Sequence, residues 1–142
     1  MSDWDAWIGR DELRTDTVGL APAQRWLATL DRGFPPDDTL PQGYHWCLCL
    51  PDATTASLGS DGHPRREDQP ESLLPPLPDL PRRMWASSSV EFIAPLRVED
   101  RISRVSWVKA ITEKTGSSGR LVFVEVQHET GNQDGIAVRE VQ

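Results

Sequence analysis

The sequence predicts an α+β domain in which one amphipathic helix precedes a meander of three or four antiparallel strands. Three observations point there. Eleven of the 12 prolines lie at or before Pro81, and only Pro95 follows. Proline fixes φ and withholds a ladder donor, so sheet is confined mainly to the back of the chain. Charge divides at the same place: residues 1–81 carry 14 acidic and six basic side chains, residues 82–142 eight and nine. Finally, the apolar residues are helically spaced in the front and alternate in the back.

The front holds one helix candidate, Ala21 to Arg32. Pro22 suits an early helical position, Ala23, Trp26, Leu27 and Leu30 form one apolar stripe, and Gly33 suits a left-handed C-terminal position. Gly43 to Leu50 is apolar enough to be buried, but too short for its period to separate helix from strand. Asp52 to Pro81 contains six prolines and almost no periodicity; a loop of that length is usually a lid, a binding surface or a flap.

Strands follow. Ser87 to Leu96 puts Val90, Phe92 and Ala94 on one face, and Arg101 to Thr112 puts Val105, Trp107 and Ile111 on one face with Lys109 interrupting. Thr115 to Gly119 forms a turn. Leu121 to His128 alternates Val122, Val124 and Val126 against Phe123, Glu125 and Gln127. Thr130 to Gly135 turns again, before a last strand over Ile136 to Val141.

The 142 residues, 37% of them hydrophobic, suit a single domain, 1–142, able to bury its own core. No apolar run approaches the roughly 20 residues of a membrane span, and Met1-Ser2-Asp3-Trp4-Asp5 lacks the start of a signal peptide, so the expected compartment is the cytoplasm. A net charge of -7 argues against nucleic-acid and membrane partners.

Several clusters are chemical candidates. On a strand, His45, Cys47 and Cys49 would share a face as three metal ligands, but the spacing is not that of a zinc site, and buried thiols are ordinary core residues. Asp61-Gly62-His63-Pro64 pairs a carboxylate with His63, a weak acid/base candidate whose local chemistry reads first as a turn. His128, at a strand end, reads as a rim residue. Arg82-Arg83-Met84-Trp85 joins two guanidiniums to an apolar pair where the loop meets the sheet, with Arg65-Arg66 as a second basic pair. That combination suits a phosphate-bearing ligand with an apolar part, such as a CoA nucleotide; the plain alternative is solvated arginines beside a core tryptophan. No Gly-x-Ser-x-Gly, phosphate loop or metalloprotease signature is present.

The order of segments resembles a known family. Trp7-Ile8-Gly9-Arg10, the Ala-Pro helix ending Thr29-Leu30-Asp31, Ser60-Asp61-Gly62-His63-Pro64-Arg65-Arg66, Leu80-Pro81-Arg82-Arg83-Met84-Trp85-Ala86, Phe92-Ile93-Ala94-Pro95-Leu96-Arg97-Val98 and Leu121-Val122-Phe123-Val124 look like the N-terminal half of the MaoC-like hydratases. Within these they look most like the mesaconyl-C4-CoA (3-methylfumaryl-CoA) hydratases and the 3-hydroxyacyl-thioester dehydratases. The resemblance implies a hot-dog fold, a curved antiparallel sheet wrapped around a helix, acting on acyl-CoA thioesters as an enoyl-CoA hydratase/3-hydroxyacyl-CoA dehydratase with no bound cofactor. It also implies a catalytic Asp and His in a Gly-Asp-x-Asn-Pro-x-His motif, which this sequence lacks. The expectation is therefore a non-catalytic half or subunit. Arg82, Arg83, Met84 and Trp85 would be its substrate-side residues, and a second hot-dog half would supply Asp and His. The other expectation is an acyl-CoA-binding or assembly module without hydratase activity, as a homodimer; a stand-alone enzyme using His63 or His45 is the weakest.

Overall fold

The computed structural model describes residues 4–65, 71–80, 82–117 and 119–142. A five-stranded antiparallel sheet has the order β1-β3-β4-β5-β2, formed by β1 (Asp11–Thr17), β2 (Ser89–Phe92), β3 (Arg101–Gly116), β4 (Gly119–Asn132) and β5 (Gly135–Val141). The α-helix α1 (Leu20–Thr29) buries Ala23 and Leu27, and Ala23 joins a core shared with Ile102, Ala137 and Val138 of the sheet. The α+β expectation holds, with several changes of detail.

β1 is a strand the sequence reading did not anticipate. Asp11-Glu12-Leu13-Arg14-Thr15-Asp16-Thr17 shows little apolar alternation, because β1 is an edge strand whose order comes from its ladder with β3, Leu13 opposite Val105. Charges on an edge also discourage stray pairing.

Helix α1 starts one residue before the expected Ala21 and ends three before Arg32. Pro22 is its third residue, where the missing N–H would have no intrahelical partner in any case. The left-handed terminator is Asp31 (φ 53°), not Gly33. Asp31 N–H donates to Ala28 O at 3.1 Å and Arg32 N–H to Leu27 O at 3.0 Å, a Schellman closure. Leu30, placed on the buried stripe by its spacing, is half exposed because the helix has already ended there.

The back of the chain forms the sheet, with two corrections. The strand expected over 87–96 is only four residues long, since Ile93 and Ala94 both donate to Ala137 O and the chain then leaves the ladder. Ala94 is therefore not on a strand face. On β3 the buried positions are Ile102, Ser106 and Val108, not Val105, which is 37% exposed. An apolar tally selects Val105 and Trp107 because the opposite face spends two of its positions on Arg104 and Ser106. A bulge between Val108 and Ala110 then shifts the register at Lys109. On β4 the predicted alternation is correct, with Val122, Val124 and Val126 more buried than Phe123 and Glu125.

A second register shift, at Thr130/Gly131, brings Gly131 against the start of β5. A Cβ there would stand 2.5 Å from Gly135 O and 3.1 Å from its carbonyl carbon, both backbone. Neither atom can rotate away. We predict that Gly131→Ala lowers stability by about 2–3 kcal/mol; a urea midpoint within error of the parent would show that the turn shifts freely.

Candidate functional site

Two clefts among the described residues gather candidate side chains. The first forms where Gly43 to Leu50 meets β2 and β5. Gly43 takes φ 98°, and a short 3-10 helix, Tyr44–Cys47, follows. This resolves the segment left open by its period, and removes the strand geometry that would have put His45, Cys47 and Cys49 on one face. Both cysteines are free thiols. Cys49 reverses the chain at φ 55°, with its N–H on Asp16 Oδ2 and its carbonyl accepting from Arg104 Nη2. Burial pushes the Cys49 thiol upward, which suits a packed rather than a reactive cysteine.

This anchored helix presents His45 and Trp46 to Glu140 of β5. His45 Nε2 lies 3.2 Å from Glu140 Oε2, both side chains about 95% buried. Trp46 Nε1 donates to Glu140 Oε2 at 3.0 Å, Ser88 Oγ to Oε1 at 2.7 Å and Gln142 Nε2 to Oε1 at 2.9 Å. Burial raises the Glu140 carboxyl, but the hydrogen bonds from Gln142, Ser88, His45 and Trp46 together outweigh it and hold the group below the usual carboxylate value. The adjoining cleft, about 300 Å³, is lined by His45, Tyr44, Pro41, Phe92, Leu96 and Val138 among others, and the Phe92 ring stands edge-on to the imidazole at 5.7 Å.

Glu140 also ends a polar row. Ser106, His128 and Glu140 face one another across β3, β4 and β5, and His128 Nδ1 lies 2.7 Å from Ser106 Oγ. His128 is thus a half-buried interior residue and not the rim residue its sequence position implied. Burial, reinforced by the Arg104 charge, pushes its pKa down. A visible signal existed: Ser106, His128 and Glu140 share the parity of Val108, Val126 and Val138, so inward valines imply inward polar neighbours.

These shifts fix a pH dependence. Both His128 and Glu140 are depressed in the fold, so each binds its proton more readily when unfolded, and stability falls as pH falls. Loss begins below about pH 6.5 with His128 and steepens below about 4.5 with Glu140. Asp100 adds to the acid limb: burial raises it, but bonds from Asn132, Gln133 and the Arg97 N–H lower it further. A melting temperature that stays flat from pH 7 to 5 in the parent, or falls equally over that range in His128→Gln, would contradict the assignment.

The second cleft, about 490 Å³, lies within the Pro-rich segment and gathers Asp61, His63, Arg65 and Arg83 around Pro64, Pro76, Leu77, Pro78 and Leu80. Asp61-Gly62-His63-Pro64 is a turn, with Gly59 N–H donating to His63 O. His63 Nδ1 is 3.3 Å from Asp61 Oδ2, both half exposed. The His63 N–H bond lowers the Asp61 carboxyl, and the His63 and Arg83 charges lower it further. The structure thus brings Arg83 and Arg65 together, residues far apart in sequence. Arg82, Met84 and Trp85 are exposed, Trp85 at 73%, so this tryptophan is not a core residue. Arg66 and Pro81 lie outside the described residues.

The sheet order and the helix packed against it define a hot-dog fold. The chain belongs to the hydroxyacyl-thioester dehydratase type 2 family, whose model matches residues 43–142. It is 40% identical over 144 residues to the mesaconyl-C(4)-CoA hydratase of Chloroflexus aurantiacus, which covers 99% of this chain and 50% of that protein. The chain therefore spans about half the length of that curated relative. In fold it is similar to the ChsH1-ChsH2 complex from Mycobacterium tuberculosis, with a TM-score of 0.65 and 12% identity, covering 92% of this chain and 79% of that one. It is also similar to the MaoC-like dehydratase from Rhodospirillum rubrum, with a TM-score of 0.58 and 19% identity, covering 94% and 87%. Among the described residues no helix is long and apolar enough to cross a membrane.

Proposed function

We propose that this chain is the non-catalytic hot-dog half of an enoyl-CoA hydratase/3-hydroxyacyl-CoA dehydratase resembling mesaconyl-C4-CoA hydratase. It supplies the acyl and CoA side, and a second hot-dog half supplies the catalytic Asp and His. One observation carries the reading: nearly the whole chain matches half of a hydratase, while its sequence lacks Gly-Asp-x-Asn-Pro-x-His. Two features support it. The cleft beside His45 is largely apolar, as an acyl chain requires. Arg65 and Arg83 stand in the loop cleft beside apolar walls, a setting that suits CoA phosphates, with Arg82, Met84 and Trp85 alongside.

A second reading is an acyl-CoA-binding or assembly module acting as a homodimer. It is favoured by β2, a four-residue edge strand that among the described residues pairs only with β5, leaving its other ladder edge open there. The deciding experiment measures hydration of crotonyl-CoA and mesaconyl-C4-CoA by the chain alone and mixed with a motif-bearing half. Activity confined to the mixture is the expected result. Inactivity throughout, with acyl-CoA still raising the melting temperature, would favour the second reading.

A further inference from the structure

The β3–β4 hairpin outruns the rest of the sheet. β1 begins opposite Trp107, and Gln142, at the end of the β5 row, exchanges two backbone bonds with Val126, whereas β3 and β4 go on pairing from Ala110 and Glu125 to Gly116 and Gly119. The Gln142 bonds fix which way the β4 backbone points. Backbone N–H and C=O groups turn to alternate sides along a strand, so Val124 and Val122 aim theirs to the same side as Val126, where no strand lies among the described residues. Those of Phe123, between them, face β3. The arm is held in shape by its own side chains: Arg120 Nη2 donates to Glu113 Oε2 at 3.1 Å, and Lys114 Nζ stands 5.1 Å from the centre of the Phe123 ring.

Bare strand edges are ordinarily guarded by charge, proline or a bulge. β1, at one border of the sheet, carries Asp11, Glu12, Arg14 and Asp16. The bare stretch of β4 reads Leu121-Val122-Phe123-Val124, without a charge and with three strong strand formers, and its Leu121 and Phe123 side chains are exposed. A two-stranded ribbon standing alone is only marginally stable in water, so this arm gains from a third strand.

We propose that the Val122–Val124 edge of β4 is a docking site for an extended apolar strand of the second hot-dog half, an occupant that rests on the half-enzyme reading. Backbone groups of Val122 and Val124 bond the incoming strand, and Leu121 and Phe123 flank it with apolar surface. Two observations select this occupant. The relative at 40% identity has as much chain again outside its matched portion, so a second body of this size accompanies the fold there. In addition, Gln142 stands at the head of the bare edge, so a strand arriving beside it continues the β5 row, with Val124 and then Val122 as its next rungs.

The test reads single amides. The full 15N-labelled chain is exchanged into heavy water alone and with a hot-dog half carrying Gly-Asp-x-Asn-Pro-x-His. In the chain alone, the Val122 and Val124 amides should exchange about tenfold faster than that of Phe123, which is bonded within the hairpin. With the second half they should slow at least tenfold, on the order of one added hydrogen bond each. Val122→Pro removes a donor from the open side and none from the ladder with β3, so it should weaken association about tenfold and leave the melting temperature of the chain alone nearly unchanged. The exchange measurement on the parent chain stands if that variant misfolds. Absence of association, Val122 and Val124 amides that exchange equally in both samples, or association undiminished by Val122→Pro would overturn the proposal. Protection that grows with the concentration of the chain alone would assign the edge to a second copy and overturn it as well. Protected amides in an inactive mixture would sink the half-enzyme reading alone; an active mixture with unprotected amides would remove this docking site alone.

Discussion

Glu140→Ala is expected to lower the stability of the chain by about 3–5 kcal/mol, because it takes the acceptor from buried His45 and from three further donors at once. Glu140 is 3% exposed and accepts from four side chains that come from three separate parts of the fold: His45 and Trp46 on the 3-10 helix, Ser88 before β2 and Gln142 after β5. Removing it strands all four donors at once. His45 loses the bond at Nε2 and already lacks one at Nδ1, so a 95% buried imidazole would have no partner among the described residues. Each neutral donor left unpaired costs about 1–3 kcal/mol where it cannot reach water, and the exposed Gln142 and Trp46 should recover most easily. The melting temperature should fall on the order of 10 °C. Glu140→Gln keeps the shape and one acceptor oxygen, so roughly half the loss should return. Urea titration reads both. A shift under 1 kcal/mol with an unchanged slope would mean the carboxylate contributes no more than a surface pair.

The ease of reading this chain varied from element to element for physical reasons. Alternation on β4 was readable because Val122, Val124 and Val126 follow one another on the more buried face, before the polar His128 is reached. β3 misled because its inward face includes Ser106, satisfied by His128, and Arg104, which donates to the Cys49 carbonyl. Such residues are interior only by virtue of partners distant in sequence, and no local pattern encodes a partner. The same holds for the site. Asp61 and His63 are two residues apart in the chain and read as a pair, yet they form a half-exposed turn. His45 and Glu140 are 95 residues apart and form the buried dyad. β1 was missed for a related reason: an edge strand takes its order from a neighbour's backbone, and its own side chains are free to be charged.

In the mixture of halves, hydration of crotonyl-CoA or mesaconyl-C4-CoA should exceed the sum of the separate rates by at least 10²–10⁴-fold, the range a positioned acid or base contributes. In the MaoC-like pattern the Asp and His act together, and polarisation of the thioester carbonyl by N–H donors adds a further factor of similar size. Neither Asp61 with His63 nor Glu140 with His45 is arranged to replace that pair: the first is half exposed to water, and the second has its acid and its base already bonded to each other. The contribution assigned to this chain is binding, and it should appear in different kinetic constants. Arg83→Ala and Arg65→Ala in the mixture should raise KM several-fold with kcat nearly constant, because a charge on the CoA phosphates holds substrate and transition state equally. Replacing the partner's Asp should instead lower kcat and leave KM close to its starting value. Activity of this chain without a partner would reverse the assignment, and His63→Ala and His45→Leu would then show which imidazole carries the proton.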